Sequence, residues 1–371
     1  MASPDHDPPS APAELAETQA GAPAPAAPSA AVPPPVPGDW DRYEVFGLLG
    51  RGGMGSVYKA RDRRLGRIVA LKFIRGDDPL LRQRLLQEAR AQARIEHDHI
   101  CKVYEVGEVA GQAYIAMQYI DGPTLASAQR DLSLDDKVLL LATITDAIQA
   151  AHRLGVIHRD LKPANVLLER GEDGRFRPYV MDFGLAHDSS LQGGLTQSGA
   201  LLGTPQYMPP EQARGDTKAI DRRSDVYSLG AMLYELLTGE PPFSAESLAD
   251  ILLHVLDREP VAPRQHRADI PADLETIALK CLRKDPAQRY ESARALAEDL
   301  TRYLNGESIL ARRTTLLNRL RQLARRHKAL VGLAALSLGI ILGLITYGLR
   351  ARLAAGEQAR LAQNLGQEIA K

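Results

Sequence analysis

The chain has 371 residues, long enough for one large two-lobed domain with extra segments and too long for a single small one. Its 46 Lys and Arg balance 46 Asp and Glu, so bulk charge gives no support to a nucleic-acid partner. The two cysteines, Cys101 and Cys281, argue against a disulfide framework and, each without a second Cys at ligand spacing, against a zinc site.

In chain order, residues 1–38 are dominated by Ala and Pro and carry acids but no Lys or Arg. Such a segment buries too little apolar surface to offset its ordering entropy, so a disordered, partly extended tail is expected. It has neither the basic start nor the apolar run of a signal peptide. Order is expected from Trp40. Between Tyr43 and Met117 short β-type runs alternate with Gly, with one helix-like stretch over about 80–95. From Leu132 to Arg302 helical apolar spacing dominates, as in Val138, Leu139 and Leu140 with Ile144 and Ile148. The fold class expected is α+β, a strand-rich small lobe and a helix-rich large lobe with a cleft between them.

Residues 329–349 form an uncharged apolar run of about 21 residues, past the ~18 that marks a membrane-span candidate. One central Arg or Lys would cost about 2.5–3.5 kcal/mol, as much as several leucines return, so the lack of any charge weighs heavily. Arg319, Arg321, Arg325, Arg326 and Lys328 precede the run, and Arg350 and Arg352 follow it. The larger basic excess is N-terminal, which predicts a cytoplasmic N-terminal side and an outer C-terminal side. Gly339 and Gly343 make a small-xxx-small pair, a hint of helix association. Leu361, Leu365 and Ile369 keep helical spacing up to Lys371, as at the start of an outer helical segment of a longer protein.

The candidate chemistry begins with Gly50-Arg51-Gly52-Gly53-Met54-Gly55-Ser56-Val57, after the apolar run ending at Leu49. Glycines let a backbone approach phosphate oxygens and offer its N–H groups. A dinucleotide loop should open a helix. Here Ser56-Val57-Tyr58-Lys59-Ala60 reads as a continuing strand, which favours a loop lying over a nucleotide. Lys72 ends the apolar Ile68-Val69-Ala70-Leu71 and is costly to desolvate unless it meets anions. Those expected are the α- and β-phosphates and the carboxylate of Glu88 on the following helix.

Further on, His158-Arg159-Asp160 is followed by Lys162 and Asn165, and Asp182 opens Asp182-Phe183-Gly184 after the apolar Tyr179-Val180-Met181. Phosphoryl transfer needs metal ions to neutralise developing charge and a carboxylate to orient a hydroxyl and take its proton. Asp160 suits the base, Lys162 can reach a γ-phosphate, and Asn165 and Asp182 supply the oxygens that Mg²⁺ prefers.

In this order these motifs resemble the eukaryotic-type (Hanks-type) protein kinase domain, over 43–304, in its bacterial receptor-like serine/threonine branch. Gly203-Thr204-Pro205-Gln206-Tyr207-Met208-Pro209-Pro210-Glu211 resembles the substrate-facing loop. Asp225-Val226-Tyr227-Ser228-Leu229-Gly230 resembles the buried helix of the large lobe, and Lys284-Asp285-Pro286-Ala287-Gln288-Arg289 a late segment. Pro209 departs from the usual Ala or Ser, and Gln118 from the common Glu.

The resemblance implies a small lobe over 43–117, a large lobe over 122–304, a basic juxtamembrane segment over 305–328, the span over 329–349 and an outer segment over 350–371. It implies ATP, held by Leu49, Gly50, Arg51, Gly52, Gly53, Met54, Gly55, Ser56, Val57, Lys72 and the hinge residues Gln118 and Ile120. Mg²⁺ would be held by Asn165 and Asp182, with Asp160, Lys162, Lys72 and Glu88 in catalytic roles. It further implies protein substrates, a His158 that packs rather than reacts, and an Arg289–Glu211 pair. It also implies phosphate control of the loop after Asp182 through Arg159, with Ser189, Thr196 and Ser198 as acceptors. A homodimer joined through the span, in the plasma (inner) membrane, is expected from the same resemblance. A catalytically silent receptor or scaffold is the rival, but silent relatives lose the Lys, the base or the metal-binding Asp, and all three are present.

Overall fold

The computed structural model describes residues 40–52, 55–74, 79–183 and 205–311, apart from the side chains of residues 79–82, 84, 85 and 88. The expectations for the tail at 1–38, for Gly53 and Met54, and for the loop acceptors Ser189, Thr196 and Ser198 lie outside the described residues. So do those for the basic segment from Arg312, the span and the outer segment, and the side chain of Glu88.

The small lobe is an antiparallel sheet of five strands, β1 (Tyr43–Gly52), β2 (Gly55–Asp62), β3 (Arg67–Ile74), β4 (Val103–Val109) and β5 (Gln112–Gln118), in the order β1-β2-β3-β5-β4. The aliphatic run of β3 is central, and its residues from Val69 to Ile74 are all buried. A strand buried on both faces reads as a continuous apolar run rather than an alternating one. The one cation in that run, Lys72, is held in place by pairing with Val57 of β2 and Ile115 of β5. Helix α1 (Pro79–Gln92) ends three residues before the expected Ile95. There the Gln92 side-chain amide donates to the Cys101 carbonyl at 3.0 Å, tying the helix end to the chain entering β4.

The large lobe holds α2 (Leu125–Ala128), α3 (Leu134–Arg153), the hairpin of β6 (Val166–Arg170) and β7 (Phe176–Val180), and α4 (Pro210–Ala213). It continues with α5 (Arg222–Thr238), α6 (Leu248–Asp257), α7 (Pro263–His266), α8 (Ala272–Cys281) and α9 (Ala293–Leu304). Ser133 caps α3 by accepting the Asp136 N–H, with Asp135 and Asp136 in the first turn, which complements the helix dipole. Asp221 caps α5, and Gly239, at φ 88°, ends it in the left-handed conformation. Every residue of α5 from Ser224 to Leu237 is buried, so the lobe is built around this helix.

Two features matter for the cleft. Val166 pairs with Val180, and the Met181 N–H donates to the Asn165 carbonyl at 2.9 Å, so the hairpin brings Asn165 and Asp182 to one end. Val180 also exchanges main-chain bonds with His99 and Cys101, at 2.9 Å each, which joins the hairpin to the chain entering the small lobe. Packing continues past the expected domain end at Leu304. Ile309 is buried in the large-lobe core, and the Leu310 and Ala311 N–H groups both donate to the buried Asp299 carboxylate on α9. Among the described residues no helix is long and apolar enough to cross a membrane.

Candidate active site

The glycine-rich stretch forms the β1–β2 hairpin, with Gly52 opposite Gly55, Arg51 opposite Ser56 and Gly50 opposite Val57. A strand, not a helix, follows the glycines, as the residue pattern at Ser56–Ala60 requires. A Cβ placed on Gly50 or Gly52 would meet no atom of the described residues within 4 Å, which leaves open space beside this hairpin where a phosphate chain could approach the backbone. At the other edge, Gln118 is the last residue of β5 to pair with β3. The main chain at Tyr119 and Ile120 therefore leaves the ladder, and its polar groups are not consumed by strand pairing. The Cys101 thiol, which burial pushes up to about 12, packs under this turn and donates to the Gln118 carbonyl at 3.4 Å.

Lys72 is only 7% exposed, and its Nζ lies 2.6 Å from Asp182 Oδ1. A buried ammonium persists only when paired, and here its partner comes from the opposite lobe. Glu88 lies in α1, but its side chain is outside the described set, so its expected contact with Lys72 is not part of this geometry.

Across the cleft, Lys162 Nζ lies 2.9 and 3.1 Å from the two Asp160 carboxylate oxygens. The Asn165 side-chain amide donates to the Asp160 carbonyl at 2.8 Å and to its Oδ2 at 3.0 Å. With both amide hydrogens directed at Asp160, the Asn165 side-chain oxygen is turned away from it. Five of the expected residues, Lys72, Asp160, Lys162, Asn165 and Asp182, thus form two hydrogen-bonded groups, and the β6–β7 hairpin joins them.

The backbone here is strained. Arg159 at φ 64° and Asp182 at φ 57° are two of the three non-glycine residues with positive φ among the described residues. Such conformations cost roughly 1–3 kcal/mol each and persist where surrounding contacts over-determine them. Asp225 on α5 supplies such contacts. Its fully buried carboxylate accepts the His158 N–H and the Arg159 N–H at 2.9 Å each, and His152 Nε2 lies 2.7 Å away. Burial pushes this carboxyl up, but the bond to the His152 ring and the nearby N–H groups hold it below its ordinary value.

His158 packs as expected. Its Nδ1 accepts the Asp160 N–H at 3.3 Å, so its Nε2 carries the hydrogen given to the Met181 carbonyl at 2.9 Å. Burial lowers its basicity, and its ring lies 4.5 Å from that of Phe183. It is a neutral strut between the two acid-bearing loops.

Gln212 donates to the Arg159 carbonyl at 3.1 Å, which ties α4 to the same loop, and Ser228 of α5 donates to the Tyr207 carbonyl at 2.8 Å, which ties the turn before α4 to α5. Arg289 meets Glu211 through two bonds of 2.8 Å, both side chains being buried. Burial raises the Glu211 carboxyl, but Arg289 outweighs it and holds the group below its ordinary value.

The donors fit Mg²⁺ better than a metal held by protein alone. Among the described residues no group of three or more His, Cys, Asp or Glu could hold an ion unaided. One or two carboxylates, completed by substrate phosphates and water, are the usual Mg²⁺ set. Sequence reasoning did not foresee Asp225 and His152 as the residues that set this loop. The available signal was an acid directly ahead of the long, mostly apolar run from Val226 to Leu237, which burial forces to find donors.

Residues 43–301 match the family model described as the protein kinase domain. The chain is 42% identical over 278 residues to serine/threonine-protein kinase PknB of Mycobacterium tuberculosis, which covers 72% of this chain and 44% of that protein. PknB of Mycolicibacterium smegmatis is 42% identical over 283 residues with the same coverage. This chain thus matches less than half the length of these curated relatives. The crystal structure of the Mycobacterium tuberculosis PknI kinase domain superposes with a TM-score of 0.55 at 29% identity, covering 70% of this chain and 95% of that one. The chain belongs to the protein kinase domain family, in the company of bacterial serine/threonine kinases.

Proposed function

We propose that this chain transfers the γ-phosphoryl group of ATP to serine and threonine hydroxyls of proteins, including its own. The observation that carries this reading is the convergence of Lys72 and Asp182 on one side and Asp160, Lys162 and Asn165 on the other, joined through the β6–β7 hairpin. ATP would lie under the hairpin of Leu49 to Val57, with adenine against the main chain from Gln118 to Ile120. Lys72, and Glu88 as its orienting carboxylate, would fix the α- and β-phosphates. Mg²⁺ held by Asp182 and Asn165 would neutralise charge on the phosphate oxygens. Asp160 orients the acceptor hydroxyl. Its oxygen bonds to the γ-phosphorus as the bond from phosphorus to the β–γ bridging oxygen breaks. The hydroxyl proton passes to Asp160, and ADP leaves. Lys162 offsets charge on the transferred group.

The proposed setting follows from the rest of the chain: a tail at 1–38, a kinase domain beginning at residue 43, and a basic segment leading to a single span at 329–349. The kinase would face the cytoplasm beneath the plasma membrane, with residues 350–371 outside. Pairing of spans through Gly339 and Gly343 would let one copy phosphorylate another. Incubation with labelled ATP followed by phosphoamino-acid analysis tests the proposal. Phosphoserine and phosphothreonine are expected, and labelled phosphotyrosine alone, or no label, would overturn it.

A further inference from the structure

A second hollow, of about 1030 Å³, lies apart from the cleft residues. Its walls come from the turn after α1, from α3 and from α9. Ile95, Leu139 and Leu304 give it an apolar floor, and its rim carries three acids, Glu96, Asp98 and Asp146, against one lysine, Lys102. Leu139 on α3 is 45% exposed and faces this hollow. A neighbouring hollow of about 450 Å³ shares Ala142, Asp146 and Thr301 and adds Glu298 with Arg153 and Arg294, so the depression runs on between α3 and α9 but its acidic part is the end at Glu96, Asp98 and Asp146. The side-chain pair at its rim, His97 with Asp146 at 3.5 Å, is partly exposed and readily displaced.

The chain that follows the described fold has complementary chemistry. Residues 312–328 carry seven Lys and Arg and no Asp or Glu. Leu316, Leu320 and Leu323 recur at positions i, i+4 and i+7, which would place them on one helical face. Seventeen residues in a helix would span about 26 Å. The point of departure is fixed as well. Ala311 is tied to Asp299, two residues before the groove-lining Thr301 of the same helix. A segment so tethered meets the groove at an effective concentration of order mM, without any search.

We propose that residues 312–328 dock in this groove, Leu316, Leu320 and Leu323 on the floor of Ile95, Leu139 and Leu304, and the flanking arginines on the rim of Glu96, Asp98 and Asp146. Docking ties the turn after α1 to the large-lobe helices α3 and α9. It does not depend on the phosphoryl-transfer reading.

The test uses the full chain in neutral detergent micelles with Thr143→Cys, a partly exposed groove position. Cys101 and Cys281 are buried, so alkylation by a small maleimide reads the new thiol. The T143C thiol is expected to react at least about tenfold more slowly than in the chain that also carries Leu316→Ser, Leu320→Ser and Leu323→Ser, as a predominantly docked segment requires. No described contact of the two lobes involves these three residues, and circular dichroism and the melting temperature of the triple variant check that the lobes stay folded. Equal rates in neutral micelles overturn the proposal. Protection of the thiol that arises only when anionic vesicles are added would assign the segment to the membrane surface and also overturn it.

Discussion

Lys72 Nζ lies 2.6 Å from Asp182 Oδ1, so the small-lobe cation and the large-lobe carboxylate meet directly across the cleft. The ammonium is buried and the carboxylate about 30% exposed. In the proposed reaction the two separate, the first to the phosphates and the second to the metal. Lys72→Met removes the phosphate partner and leaves Asp182 without its cation. Catalytic efficiency (kcat/KM) for ATP-dependent phosphorylation is expected to fall by about 10²–10³, the scale of losing one preorganised charge, with far-UV circular dichroism unchanged. Unchanged kcat/KM would remove Lys72 from the site.

The Arg289–Glu211 pair makes a prediction about stability and pH. Glu211 has a folded pKa below its ordinary value of 4.5. Its contribution is therefore fully present above that value and is lost as pH falls through the folded pKa. Arg289→Met at pH 7 leaves a buried carboxylate unpaired, at a cost of about 3–5 kcal/mol. In the variant the Arg289 contribution is gone, and burial, opposed by the Ser224 hydroxyl at 2.7 Å and a main-chain bond, raises the Glu211 pKa relative to the parent chain. The stability gap between the two chains should narrow from pH 7 toward pH 4, measured by urea unfolding at each pH.

Asp225 allows the pinning of the catalytic loop to be separated from its chemistry. Asp225→Asn presents an amide to groups that are themselves donors, the His158 and Arg159 N–H groups. Unfolding free energy should drop by about 3–5 kcal/mol. Below the new melting point, kcat should fall while KM for ATP changes little, because Asp225 holds the loop of Asp160 rather than the β1–β2 hairpin proposed to cover the nucleotide. Steady-state kinetics at 15 °C beside a melting curve measure both, and an unaltered kcat would deny Asp225 this positioning role.

Gly230 makes a purely steric prediction. A Cβ there would sit 2.2 Å from Cys281 Cβ, where α5 and α8 touch. Gly230→Ala should destabilise by about 1–3 kcal/mol through overpacking. Cys281→Ala added to it should not relieve the clash, which involves Cβ rather than sulfur. Cys281→Gly should relieve it, and thermal unfolding of the double variants distinguishes the two.

The legibility of this site in the sequence depended on the kind of residue. Lys72 is a lone cation inside an apolar strand that runs on to Ile74, and Asp160, Asn165 and Asp182 flank short apolar strands, so each declares a polar group set against an apolar run. Their partners were less legible. Asp225 binds main-chain N–H groups 66 and 67 positions away, and main-chain donors leave no mark on residue identity. The end of α1 at Gln92 is set by a side-chain bond to Cys101, and the fold continues past Leu304 because Asp299 takes the N–H groups of Leu310 and Ala311. Both depend on tertiary contacts that override local periodicity.

Phosphoryl transfer by Asp160→Asn tests the central claim most directly. Asn keeps the shape and one acceptor oxygen but cannot take the hydroxyl proton. With labelled ATP and a protein acceptor, transfer to Ser and Thr should fall by about 10²–10⁴, the range for losing a positioned general base, while the melting temperature and ATP binding stay near those of the parent chain. Undiminished transfer by a folded D160N chain would contradict the assignment.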